Sequence, residues 1–284
     1  MNRPLPFNPA PDADSIDVSP LLDAPFAKVW DSAGRASLPS ALRGRLLNRL
    51  LASREAEAAM TTMRRSRTPR DGMAPGVTVQ TLYAAPANRP LRPGEPLRVR
   101  LIALAPGASI LGPLLGQAGA SSPHREVMVL SGALQLAQQT LSQRDYHVLP
   151  AGAAMPPLHS SKGALLFLRE SDLAALAGDR PFTVLDAEAG WAVFAPGIQR
   201  RVLWQRQGQA ALLYHAQPGA QVPQHSHGHD EECLMLQGEL FLDDLLLQPG
   251  DYQLAPAGTG HRITQTDTGI VIYAHGDLDL QFLG

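Results

Sequence analysis

The chain has 284 residues, 44% of them hydrophobic and 18% charged, with a formal net charge of −2. That size and balance fit about two folded domains with buried cores, and nothing global points to nucleic acid as a partner. No run of about 18 apolar residues exists, so a helical membrane span is excluded, and the single cysteine, Cys233, excludes an intrachain disulfide framework and any all-cysteine metal site. With 25 glycines, 25 prolines and only 5% aromatics, the chain carries too many turn residues for a helical bundle and reads as short strands joined by turns. No apolar stretch follows Arg3, so no secretory signal is read and a cytoplasmic location is expected.

Residues 1–25 hold prolines and aspartates without hydrophobic periodicity and predict an extended arm. The only long helical pattern follows, SALRGRLLNRLLASREAEAAMTTMRR, from Ser40 to Arg65. Ser40 is its N-cap, and Leu42, Leu46 and Leu50, with Leu47 and Leu51, form an apolar stripe at helical spacing. From Ser40 to Arg70 there are eight arginines against Glu55 and Glu57. The pattern suits an amphipathic helix packed on its own protein with a solvated basic face, or a docking helix for a protein partner. We take residues 1–72 as an arm plus helix.

Beyond residue 72 the sequence repeats itself at an offset of 106 residues. Glu126-Val-Met-Val-Leu-Ser-Gly132 aligns with Glu232-Cys-Leu-Met-Leu-Gln-Gly238, and LSQRDYHVLPAG, ending at Gly152, aligns with LQPGDYQLAPAG, ending at Gly258. Each copy is a series of short apolar runs broken by Gly and Pro turns, the pattern of a small antiparallel barrel or jelly roll. Two such barrels, 73–175 and 176–284, are expected to pack through one interface with a pseudo-twofold relation.

Six of the nine histidines fall after residue 214. They concentrate in Gly219-AQVPQ-His225-Ser-His227-GHD-Glu231-ECLMLQ-Gly238 and its companion Gly250-DYQLA-Pro256-Ala-Gly258-TG-His261. Residues two apart on a strand share a face, so His225 and His227 can grip one ion, with Glu231 across the turn and His261 arriving from another strand. Three imidazoles and one carboxylate suit one divalent transition metal, zinc first, with iron, manganese or nickel as the other fits. Cys233, two residues beyond Glu231, shares its interior face, whereas Glu232 points the opposite way. Tyr214 or His215 lines the pocket, His229 reads as a solvated turn residue and His275 as a strand-end residue.

These segments resemble the two cupin motifs, G(x)5HxH(x)3E(x)6G and G(x)5PxG(x)2H, at each defining position up to His261; the later asparagine of the second motif is Gln265 here. The resemblance implies a mostly β chain of two tandem cupin jelly-roll barrels, a bicupin, with His225, His227, Glu231 and His261 as metal ligands. Within the cupins, HSHGHDEECLMLQGEL with LQPGDYQLAPAGTGH is most similar to the cupin domain of ChrR-type anti-sigma factors. That similarity implies a regulatory or sensing protein with a sigma factor or other regulator as partner, or a small molecule as effector. The alternative is a metal-dependent dioxygenase acting on a small diketone or aromatic. No histidine precedes His124, so the His/Cys zinc element of such anti-sigma factors is absent. Whether the protein is an enzyme, and whether it forms a homodimer, is left open by the sequence.

The first copy lacks the ligands. At offset 106, His225 becomes Gly119, His227 becomes Ser121, Glu231 becomes Arg125 and His261 becomes Met155. An arginine in a ligand's place repels a divalent cation. One metal per chain is therefore expected, with the first barrel serving as scaffold, interface or metal-free ligand pocket.

Overall fold

A computed structural model describes residues 58–88, 90–91, 94–111 and 122–283, together with Gly44, Arg45, Asn48 and Leu51. Gly44, Arg45, Asn48, Leu51, Ala58 and Ala59 have helical backbone. The arm and the rest of the expected helix, including Leu42, Leu46, Leu47 and Leu50, lie outside the described residues. The expectation of a helix running to Arg65 needs correction: Thr61–Met63 is a strand, and Arg65–Arg67 is a short 3-10 turn. Threonine side chains on successive residues favour extended backbone, and an unpaired sheet edge is available to receive them.

Contacts divide the chain into Met1–Ala52 and Ser53–Gly284. The second unit is built from two jelly-roll barrels, each with a seven-stranded and a four-stranded antiparallel sheet. In the first barrel the larger sheet runs Phe182–Val184, Tyr146–Leu149, His124–Gly132, Ala164–Ser171, Pro96–Leu104, Val77–Ala84 and Asp71–Ala74. In the second it runs Thr61–Met63, Tyr252–Ala255, Glu231–Gly238, Ile270–Asp277, Gln209–Ala216, Ile198–Arg206 and Ala192–Ala195.

The repeat is carried down to irregularities. Bulges at Leu130 and Leu236 fall 106 residues apart. Gly132 and Gly238 both have positive φ, and a Cβ at either would meet the backbone oxygen of Gly163 or Gly269, so only glycine fits these turns.

The outermost strand of each large sheet comes from the segment preceding the other barrel. Thr61–Met63 pairs with Tyr252–Leu254, and Phe182–Val184 pairs with Tyr146–Val148. This reciprocal exchange covers two sheet edges that would otherwise offer unpaired backbone groups. Arg64 adds an ion pair to Asp251 at 2.6 Å, and the Arg65 amide donates to the same carboxylate at 3.0 Å. Gly250 has positive φ, and a Cβ there would run into the Arg65 side chain.

Strand alternation sends one face into each barrel and the other between the barrels. Val127 and Val129 fill the first interior, Cys233 and Met235 the second, while Met128 and Leu234 join a shared core with Phe167, Trp204 and Tyr273. Buried within that shared layer is an ionic cluster. Arg169, 1% exposed, donates to Glu126 at 2.9 Å, to Glu232 at 2.7 Å and to the Gly94 carbonyl at 2.6 Å. Tyr252 donates to Glu232 at 2.8 Å, and Tyr146 and Tyr273 donate to Glu126. Burial opposes the charge on Glu126, but Arg169 and His275 outweigh it and hold this carboxyl well below its usual range.

Candidate metal centre

The second barrel has a small sheet with no counterpart among the described residues of the first. Its strands are Gly260–His261, His225–Ser226 and Gln281–Phe282, and its register sets His225 directly opposite His261. The approach is close: a Cβ on Gly260 would lie 2.3 Å from the His225 carbonyl oxygen. Gly260, one of the two unspecified positions between the motif glycine Gly258 and His261, is thus a packing requirement of this chain. The Pro256-Ala-Gly258 turn is clamped to the histidine pair by Gly258 N–H donating to the His227 carbonyl and His227 N–H donating to the Thr259 carbonyl, at 2.8 and 2.9 Å.

His225, His227 and His261 are all buried, with ring centroids 5.0 to 5.7 Å apart. Glu231 enters from the first residue of its strand. Its Oε2 is 2.9 Å from His227 Nε2 and 3.7 Å from His261 Nε2. Donor atoms of His225, His227 and Glu231 fall within 4.8 Å of one another. The structure therefore brings together all four residues singled out in the sequence.

The outward ring nitrogens are already engaged. His225 Nδ1 is 3.0 Å from the Pro223 carbonyl, His227 Nδ1 is 3.4 Å from Thr259 Oγ1, and His261 Nδ1 is 3.3 Å from Asp243 Oδ2. Meanwhile the Nε2 atoms of His227 and His261 are buried and turn toward Glu231, and that of His261 has no hydrogen-bond partner. Buried nitrogens left without partners are costly unless something fills the space between them. Nδ1 held from behind and Nε2 presented forward is the arrangement by which imidazole ligands are oriented toward an ion. The donor set fits a divalent transition metal.

The electrostatics agree. Burial would raise the Glu231 pKa, but His227 and His261 outweigh it and bring it down to about 2, so the carboxylate is charged. Burial lowers the His225 pKa, keeping its ring neutral. At His227 burial acts the same way, but the adjacent Glu231 carboxylate prevails and the pKa is raised.

Asp243 was not singled out from sequence. It occupies the tight turn between Leu240–Leu242 and Leu245–Leu247, with φ of 55°. Besides facing His261, it accepts the Arg262 amide at 2.9 Å and the Ile263 amide at 3.3 Å. Burial would raise its pKa, but His261 and the amide and charge of Arg262 lower it.

The donors form part of the wall of a small cavity inside the barrel, about 70 Å³. His225, Glu231 and His261 line it together with Phe194, Ile198, Leu240, Ile272 and other apolar residues. Among the described residues, no arginine or lysine contributes to this wall. Its polar groups include the buried hydroxyls of Tyr214, beside Arg200, and of Thr264. Burial raises the Tyr214 pKa, so the phenol keeps its proton.

The other sequence candidates separate cleanly. Cys233 lines the cavity as expected from its spacing, and burial with Glu231 and Glu232 nearby pushes its thiol far up, toward packing rather than reactivity. Tyr214 lines the cavity, whereas His215 is exposed and its ring meets Trp191. His229 is tied to Asp277. His275 lies within a strand and is buried between the barrels, stacked on Trp204.

Comparison with known proteins now places this architecture. The barrels are cupin-like jelly rolls. Residues 179–279 match the model of the ChrR cupin-like domain, the segment that contains all four candidate ligands. Among solved structures, the chain is similar to a putative dioxygenase from Nostoc punctiforme, with TM-score 0.59 and 14% identity over 79% of this chain and 85% of that one. A putative glyoxylate-induced protein from Pseudomonas aeruginosa gives TM-score 0.58 and 14% identity over 77% and 89%. A deletion mutant of Bacillus subtilis oxalate decarboxylase gives TM-score 0.54 and 13% identity over 76% of each chain. At these identities the likeness is one of fold. No curated protein matches the chain. Among the described residues, no helix is long and apolar enough to cross a membrane.

Proposed function

We propose that the second cupin barrel is a metal-dependent catalytic site for a small, uncharged, largely apolar molecule, of the dioxygenase kind. The observation that carries this reading is the position of the donor cluster on the wall of an apolar cavity. A purely structural ion would be enclosed by its ligands, whereas here Glu231, His225 and His261 face space that a ligand can enter. His225, His227, Glu231 and His261 would hold the metal, and Asp243 would fix the His261 tautomer. A bound iron-type ion would supply Lewis acidity and redox chemistry.

The chain's own residues do the rest. The apolar wall excludes water and accepts hydrocarbon or aromatic surface. The Tyr214 hydroxyl keeps its proton and, with Arg200 beside it, is placed to donate to a carbonyl or hydroxyl oxygen, and Thr264 offers a second hydrogen bond.

The ChrR-like regulatory reading is kept as the second one, because residues 179–279 match that family model. The two readings separate in one experiment. Metal content is measured on protein purified without added metal, for the native chain and for His227→Ala, and O₂ consumption is then followed with small diketones and aromatic ketones. The catalytic reading expects near one equivalent of redox-capable metal in the native chain, loss of it in His227→Ala, and metal-dependent turnover of uncharged substrates. One equivalent of four-coordinate zinc with no O₂ consumption would overturn it in favour of the regulatory reading.

A further inference from the structure

Thr61–Met63 does more than close a sheet edge. Its partner, Tyr252–Ala255, is flanked on the other side by the strand that begins with Glu231. Thr61 and Glu232 both stand opposite Leu254, and Ala255 stands opposite Glu231. From Ala255 the chain runs directly into the Pro256-Ala-Gly258 turn and on to His261. One strand therefore separates the segment that leads into the first barrel from two of the candidate metal ligands.

That strand is gripped from both sides. On the outer side, Gln253 Nε2 donates to Thr62 Oγ1 at 3.1 Å, and the buried Asp251 accepts from the Arg64 guanidinium and the Arg65 amide. Arg64 also donates to the Leu246 carbonyl. Gln80 of the first barrel donates to the Arg65 and Thr68 carbonyls at 3.2 and 2.9 Å, so segment 61–68 is moored to both barrels. On the inner side, the Met235 amide donates to the Asp251 carbonyl at 3.0 Å, and the Ala257 amide to Asp230 Oδ1 at 2.8 Å. An edge strand of three residues held by a few such ties opens locally at low cost. A metal, in contrast, would join His225, His227, Glu231 and His261 across separate segments and stiffen the structure that Tyr252–Ala255 runs into.

We propose that docking of Thr61–Met63 and metal binding in the second barrel are coupled. The docked strand holds Tyr252–Ala255 where Glu231 and His261 can converge, and a bound metal, by fixing those two residues, holds the strand down in return. Arg64 is thus a positioning residue for the metal centre, acting through Asp251. Segment 61–68 reports the metal state of the second barrel at the entrance to the first. The inference rests on the metal centre and not on the catalytic reading.

The test is hydrogen exchange on the full chain, either stripped with a chelator or loaded with one equivalent of Zn²⁺, with bound zinc measured in each sample. The fold supplies two internal references. Ala192–Ala195 is the opposite edge of the same sheet, and Phe182–Val184 is the equivalent exchanged strand on the barrel that lacks the ligands. Zinc is expected to slow exchange at Thr61–Met63 by about fivefold or more, with a clearly smaller effect at Ala192–Ala195 and none at Phe182–Val184. Conversely, Arg64→Ala should weaken zinc binding by about fivefold in competition with a chelator, and Arg64→Lys, which keeps a charge facing Asp251, should recover most of it. Equal slowing at both edges of the sheet would mean general stabilisation of the barrel and would overturn the proposal. So would unchanged exchange at Thr61–Met63 in the zinc-loaded chain, or unchanged zinc affinity in Arg64→Ala. Those results leave the metal centre standing, whereas a native chain that takes up no zinc, or a His227→Ala variant that takes up as much, overturns the centre and the coupling together.

Discussion

The two barrels differ where they face inward and agree where they face each other. At the shared interface Glu126 and Glu232, Tyr146 and Tyr252, and the aromatic pair Phe167 and Tyr273 occupy matching positions in the two copies. Inside, Glu231 corresponds to Arg125, and Gly276 to Glu170. The barrel interior is a closed compartment in which a change of charge is felt locally. The interface is a single layer to which both copies contribute, so a change in one must be tolerated by the other. After duplication, the constraint on packing held the interface while the interiors diverged into a His/Glu cluster and an Arg/Glu cluster. One exception marks the pseudo-twofold relation itself: Arg169 corresponds to His275, and only one of them can be the cation between two buried carboxylates.

That asymmetry gives the largest expected effect. Replacing Arg169 by methionine leaves Glu126 and Glu232 buried without their shared cation, and should cost about 3–5 kcal/mol in denaturant unfolding. Because the cluster belongs to both barrels, the loss should appear as a shift of one cooperative transition, not as melting of the first barrel alone. Adding Glu126→Gln and Glu232→Gln to Arg169→Met should restore much of the stability. Two separate transitions in the single variant would break the picture of a shared interface.

A smaller effect is expected from the turn that steadies His261. Asp243→Asn keeps a residue that tolerates the positive φ and can still accept the Arg262 amide, but removes the negative charge behind the imidazole. Metal affinity, measured by competition with a chelator, should fall about 10–100-fold with the fold intact. An unchanged affinity would mean that His261 is not oriented through Asp243. This residue also marks the limit of what the sequence shows. The four donors were legible because their spacings follow strand geometry within short segments. Asp243 lies 18 residues from His261 in a hairpin turn that looks like any other Asp-containing turn. The exchanged strands were equally hidden, since Thr61–Met63 contains nothing to name Tyr252–Ala255 as its partner. Arg169 was missed because its partners come from other strands and from the opposite barrel. The duplication and barrel class were readable from repeated glycines and alternating apolar runs, whereas contacts between the copies depend on how the barrels meet.

The last test returns to the unequal pair, Arg169 and His275. His275 is buried against Trp204, Arg169, Glu126, Glu232 and His124. Burial, then Arg169, pushes its pKa down to about 3 despite the attraction of Glu126. In the unfolded chain the imidazole titrates near its ordinary value of about 6.5. Below that pH the unfolded state binds a proton that the folded state refuses, so the folded state loses stability as the medium becomes more acidic. Between pH 7 and pH 5.5 this one residue should remove roughly 1 kcal/mol, and the loss should continue to grow toward its folded pKa. His275→Gln cannot take up that proton. Its unfolding free energy should therefore fall less steeply over the same interval, even though it loses the stacking on Trp204 at neutral pH. Carboxylates and the other histidines titrate in both proteins, so the difference between the two pH profiles isolates His275. Parallel profiles would show that His275 accepts a proton in the folded state, and that the buried layer between the barrels can hold a second cation after all.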